Sequence, residues 1–347
     1  MTRKTFISII LVFRFEKTDL RNVLWPHVRT DSPEQNPDLA LLDDQQSNAD
    51  SVTHALECFT LSNQRHWNQP VTKTFDIYRQ AKPGSLALRW LLHSEAICGL
   101  NRREHAKLLK LIVHCLVAEG NLDTVTEWIL AKDAPTQSSL RIRNPDFWRG
   151  KVLSYTVQAQ AYWTQEILLL EESVQTYLST TQRAATGQVY IPHSLSAGWL
   201  FDILAMKTSP SVNGTSFNKF RGNMAFWMTT DPHQLEFAQA RLSMEHPLHP
   251  DPLPALHFLQ KHRNPHWASY LSSHLNPAGK NADFMGWKFL VTTAQLFAKE
   301  GKLDTAKWVL DLGKEILPLM FQMKSFKLGS TTNQRQLPTP DEAAAGL

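Results

Sequence analysis

The chain has 347 residues, of which 42% are hydrophobic and 20% charged; that supplies a sizeable core and excludes a wholly disordered polymer. Its 14 glycines against 11 tryptophans speak against a turn-rich β fold. The net charge of +4 is compatible with a polyanionic partner without requiring one.

Residues 1–30 form a basic leader. Arg3, Lys4, Arg14, Lys17, Arg21 and Arg29 stand against Glu16 and Asp19, around an apolar run at 6–13 that Ser8 interrupts. The run falls well short of the ~18–20 apolar residues of a membrane span. Arg14 follows it directly, and no small-residue cleavage site is visible. Three readings stand: a targeting segment, a disordered or strand-like leader, and an atypical chain start. The expected location is mitochondrial, with the cytoplasm as the alternative. Residues 31–51 are acidic, with Asp31, Glu34, Asp38, Asp43, Asp44 and Asp50 and no Lys or Arg. They read as a disordered linker, because such a segment buries too little apolar surface to order itself. A helical body is expected over 52–326 and a disordered tail over 327–347.

Within the body, Asn144-Pro145, Asp231-Pro232, Asp251-Pro252 and Asn264-Pro265 mark helix starts. Asn or Asp caps the first free amides, and Pro at the first helical position lacks only an N–H that would be unpaired anyway. Apolar residues at steps of three and four predict helices over 86–98, 104–118 and 122–130, then one long helix from 144 to about 181. The same spacing predicts helices over 195–207, 234–243, 253–261, 267–274, 284–299 and 303–317. The fold class is therefore all-α.

Two segments match. Glu119-Gly120-Asn121-Leu122-Asp123-Thr124 and Glu300-Gly301-Lys302-Leu303-Asp304-Thr305 agree at five of six positions. A Trp-aliphatic-Leu ending follows each, one residue later in the first copy, an offset worth about 100° of helix rotation. A helix ending on Gly in the left-handed region, a Leu packing back and an Asp or Thr capping the next helix make an αα-hairpin. The stretch from Phe297 through Ala306 to Pro318 resembles the helical hairpins of tetratricopeptide- and pentatricopeptide-repeat proteins, and residues 111–130 resemble them less closely, with Val125 at the usual small position. The resemblance implies an irregular α-solenoid of stacked αα-hairpins. Gly120 and Gly301 are 181 positions apart, about five periods of a 34- or 35-residue repeat, but intervening copies cannot be traced residue by residue. The family's base-reading positions have no assignable counterparts here.

Catalytic and cofactor motifs are not found: no Gly-x-Ser-x-Gly elbow, phosphate-binding loop or dinucleotide fingerprint. No cofactor, metal or enzymatic activity is expected. Seven of the 14 histidines fall between His233 and His274, but Pro265 interrupts the His262/His266 pair that could otherwise share a helical face. Hydrogen-bonded histidines at helix ends are the plainer reading. The tryptophans read as core. Cys58, Cys98 and Cys115 are too few and too widely spaced for a disulfide framework and read as reduced thiols in a reducing compartment. Asn213-Gly214-Thr215 is a glycosylation tripeptide of the kind that arises by chance.

Two basic clusters are candidates for phosphate contacts. Arg103, Lys107 and Lys110, with His114, are spaced four, three and four on one helix face; Arg141, Arg143, Arg149 and Lys151 flank a helix start. Solvated faces are the plain alternative for both. The expected function is a helical-repeat binding platform. Its partner is RNA in organellar RNA processing or translation, as the pentatricopeptide resemblance implies, or alternatively a protein held by a tetratricopeptide-like scaffold.

Overall fold

Among the described residues some helices start at an Asn cap or a proline, while those beginning at Ala106 and Leu303 start with neither. The computed structural model describes residues 47–64, 71–94, 105–131, 147–163, 170–206, 212–227, 232–262, 282–318 and 321. Among these residues the regular secondary structure is entirely helical. Two compact units are present, one within 17–251 and the other in the C-terminal part from Pro252 onward.

In the first unit, α1 (Ala49–Gln64) starts behind Asn48, whose Oδ1 accepts from Ser51 N at 2.9 Å. It thus begins inside the stretch expected to be linker, and it buries Val52, Ala55, Leu56 and Phe59 at helical spacing. Next come α2 (Val71–Ala81) and α3 (Pro83–His93), joined by Lys82 at φ 50°. Then follow α4 (Ala106–Ala118), α5 (Leu122–Leu130), α6 (Phe147–Trp163), α7 (Leu170–Gly187), α8 (Ser194–Met206), α9 (Gly214–Gly222), the single turn α10 (Met224–Trp227) and α11 (Pro232–Met244). The second unit holds α12 (Leu253–Lys261), α13 (Ala282–Lys299) and α14 (Leu303–Ile316).

Neighbours in the first unit alternate. Helix α4 packs on α6, α6 on α8 and α8 on α11, while α5 packs on α7 and α7 on α9; α1, α2 and α3 lie against α4. Burial follows this order. In α6 every residue except Phe147, Tyr155 and Gln158 is buried, whereas α7 buries a stripe through Val174, Tyr177 and Ala184 and exposes Glu172, Ser179 and Arg183. A helix apolar all round belongs to an interior, and one with a single stripe to a surface. One apolar core runs through this unit from Val52 to Leu242. The second unit centres on Phe258, Phe289, Phe297, Val309 and Leu310, with the Phe258 and Phe289 rings edge to face at 6.0 Å.

The single long helix expected from 144 to about 181 is two helices. Helix α7 lies alongside α6, and the buried Ser173 Oγ donates to Val157 O at 3.0 Å. The apolar period continues in phase from one to the other and no Gly or Pro falls in 164–169, so periodicity alone joins them. The boundaries of α5 and α12 coincide with expectation; α1, α2, α9 and α10 were not anticipated. Asn213 starts α9 as its N-cap, its Oδ1 accepting from Ser216 N at 2.8 Å; a cap of this kind contributes about 1 kcal/mol. The expected helix at 267–274, the leader 1–30 and the tail 327–347 lie outside the described residues.

Both matched glycines take the left-handed conformation, Gly120 at φ 82° and Gly301 at φ 79°. At the first, Asn121 N donates to Leu116 O at 2.9 Å and Gly120 N to Val117 O at 3.0 Å. At the second, Lys302 N donates to Phe297 O at 2.9 Å and Gly301 N to Ala298 O at 3.1 Å. These paired bonds close the free carbonyls of the helix end. The hairpins align from the turn without a slip: Val125 and Ala306 are both fully buried, and Trp128 and Ile129 stand where Val309 and Leu310 stand, all buried. Trp308 therefore corresponds to the exposed Glu127, and the tryptophans are not equivalent.

Candidate functional site

Lys107 of α4 is exposed and pairs with Glu57 of α1 at 2.5 Å. Lys110 is half-buried, and burial lowers its pKa from the usual lysine range. His114 does not share their polar face. It is buried, with its ring 4.9 Å from Tyr162 and 4.7 Å from Trp163, because α6 covers that side of α4.

Arg149 and Lys151 also point inward. Arg149 is 4% exposed. Its guanidinium donates to Ile129 O and, at 2.9 Å, to Ala131 O, with its centre 4.8 Å above the Trp148 ring. It thereby closes the C-terminus of α5, where free carbonyls and the helix dipole favour a cation. Lys151 is buried too, its ammonium 5.2 Å from the Phe147 ring centre. Both side chains are buried, whereas the sequence reading places them as candidate phosphate contacts. Arg103, Arg141 and Arg143 lie outside the described residues.

Two acids do for helix N-termini what Arg149 does for a C-terminus. Glu119, 7% exposed, accepts from Gly84 N at 2.5 Å, Ser85 Oγ at 2.5 Å and Asn121 Nδ2 at 3.0 Å. Burial raises its carboxyl pKa, and the hydrogen bonds from Ser85, Gly84 and Asn121 offset that only in part. The approach is close: a Cβ on Gly84 would lie 2.6 Å from Leu116 N. Glu171 of α7 accepts from Asn213 N at 2.8 Å, Asn213 Nδ2 at 2.5 Å and Ser216 Oγ at 2.6 Å at the start of α9. Partial burial opposes its charge, but bonds from Ser216, Gln175 and Asn213 outweigh it and hold the carboxyl below its usual range. Asn213, read in the sequence as part of a chance tripeptide, is a helix cap.

Sequence reasoning missed these caps. Lys82-Pro83-Gly84-Ser85 carries the one available signal: Pro marks a helix start, but Lys82 is no cap, so the first amides of α3 need an acceptor from elsewhere.

A group of reactive residue types surrounds Cys115. Its thiol is fully buried, and burial followed by the nearby Glu119 charge pushes it above the ordinary range. Burial, and then Lys110, holds the His114 imidazole at about 3. Tyr78, against Phe59 at 5.1 Å and Trp163 at 5.2 Å, is raised well above its usual value, again by burial first. A thiol that stays protonated and an imidazole that stays neutral make a core, with neither nucleophile nor base poised at neutral pH. Cys58 is half-buried, and Cys98 lies outside the described residues.

No helix among the described residues is long and apolar enough to cross a membrane. Compared with protein-family models, curated proteins and solved structures, the chain shows no match.

Proposed function

We propose that this chain is a binding platform of stacked helical hairpins, an irregular solenoid of tetratricopeptide-like kind whose partner is a protein. The alternating order of neighbours, α4–α6–α8–α11 beside α5–α7–α9, supports the stacking, since in a solenoid each hairpin touches mainly the next. The matched turns at Gly120 and Gly301 support the kinship with helical repeats.

The observation that carries the choice of partner is the position of the cations. Arg149 and Lys151 are buried, and Lys107 is paired with Glu57. A phosphate-binding face needs several exposed cations acting together. The RNA reading keeps Lys107 and Lys110 on α4 and the three arginines outside the described residues, and a mitochondrial leader in 1–30 would favour it.

Tagged full-length protein, localised with and without residues 1–30, and then recovered at moderate salt and by RNA crosslinking, tests the proposal. The expected result is one stoichiometric protein partner and RNA at background. Specific transcripts lost on Lys107→Glu and Lys110→Glu would overturn it in favour of RNA.

A further inference from the structure

The segment between α11 and Pro252 is rich in proline, with Pro247, Pro250 and Pro252. Proline has no N–H, so few backbone donors are left to hold the loop, and each needs an acceptor. Two go to one carbonyl: His246 N at 3.4 Å and Asp251 N at 2.9 Å both donate to Ser243 O. The two at the loop's centre go to a side chain, Leu248 N at 3.2 Å and His249 N at 3.0 Å, both donating to His246 Nδ1. A ring nitrogen can accept only through its lone pair, so these bonds require the neutral tautomer with its proton on Nε2.

The ring is confined. His246 is 8% exposed, its ring edge-on to Phe217 at 5.2 Å and stacked on His249 at 5.7 Å. The groups acting electrostatically on it, Arg221 of α9 and His249 of the loop, both disfavour its protonated form. Leu248, 68% exposed, lies over the start of α9, close enough that a Cβ on Gly214 would meet its Cδ1 at 3.2 Å.

We propose that His246 is a proton-operated latch. The neutral ring holds the turn at 246–249 closed, and the imidazolium, which turns Nδ1 from acceptor into donor, opens it and frees Leu248 from α9. Burial first, then Arg221 and His249, lowers the His246 pKa from its ordinary 6.5. The closed turn therefore excludes the proton that the open turn takes up. Closure is complete above 6.5 and weakens as the pH falls below it. Where the closed form binds no proton, the opening constant rises about tenfold by pH 5.5.

Amide hydrogen exchange on the full-length protein tests this. Leu248 and His249 are compared with Gly301 and Lys302, reference amides of the hydrogen-bonded turn in the other unit, after correction for intrinsic exchange. The protection ratio is expected to fall, by up to about tenfold from pH 7.5 to 5.5, with the fall setting in near 6.5 while the His246 ring of the closed protein, followed by NMR, titrates below 6.5. His246→Asn offers an acceptor at a similar position and does not titrate, so it should hold the ratio constant. A flat ratio in the wild type, an equal fall in His246→Asn, or a His246 ring that titrates at or above 6.5 in the closed protein would each overturn the latch.

Discussion

The hairpins at Gly120 and Gly301 share five residues of six at the turn and the same closing hydrogen bonds, yet they serve their units differently. In the first, Glu119 is buried under the first turn of α3 and caps it. In the second, Glu300 faces solvent and pairs with Lys302 at 2.9 Å. The flanking residues explain the contrast. Ala118 is small and fully buried, and Asn121 adds a donor to Glu119; the aligned positions hold Lys299, which is exposed, and Lys302, which meets the carboxylate itself. A turn sequence thus sets how a helix ends. Whether that end becomes a joint depends on the neighbours that leave room for another helix.

The largest expected difference between the hairpins is in acid. His114 of α4 aligns with Gln295 of α13, 181 positions later. The unfolded imidazole takes a proton near pH 6.5, while the buried one does so only near 3. Stability from the neutral His114 is therefore present above 6.5 and lost as the pH falls, by about 1.4 kcal/mol per unit and about 5 kcal/mol across the whole window. Exchange of α4 amides between pH 6.5 and 5 should steepen relative to that of α13 amides. His114→Gln, which borrows the residue of the second hairpin, should remove that share of the slope. Equal slopes in the two hairpins, or an unchanged slope in the variant, would show that His114 is not the source.

Next in size is the pair of acids. Glu119→Ala leaves Gly84 N without its buried acceptor and should cost about 2–3 kcal/mol, with lost protection concentrated in the first turn of α3. Glu300→Ala removes one exposed ion pair and should stay within about 0.5 kcal/mol. Chemical denaturation of the two variants, read against exchange in each hairpin, checks the ratio. Similar costs would mean that the α3 joint contributes little.

Local signals were the legible part of this molecule. The left-handed glycines, the extents of α5 and α12, the proline at the start of α11 and the burial of Trp90 and Trp163 follow from short-range pattern, whereas Trp308, expected in the core on the same grounds, is half-buried. What was not legible depends on residues distant in the chain. Arg149 reads as a surface cation because its acceptors, Ile129 O and Ala131 O, lie 20 and 18 residues away, and the capping role of Glu119 has no local signal because Gly84 N is 35 residues away. His114 falls in step with Arg103, Lys107 and Lys110, but spacing cannot reveal that α6 covers the last position. The break between α6 and α7 leaves the apolar period intact, so the pattern passes over it.

The smallest expected contrast is at the glycines, where the two hairpins should not differ. A Cβ at Gly120 would meet nothing nearer than Arg79 Nε at 4.0 Å, and one at Gly301 nothing within 4 Å. Space is therefore open at both, and the penalty of a side chain comes from the left-handed backbone, about 1 kcal/mol at each site. Gly120→Ala and Gly301→Ala should destabilise alike, while Gly120→Asn and Gly301→Asn, whose side chain tolerates that region, should recover part of the loss. A much larger loss at Gly120 than at Gly301 in thermal unfolding would mean that the α3 joint reaches through the glycine itself. Equal losses would confine the joint to Glu119 and its neighbours, and make the turn a unit that the chain uses twice for different ends.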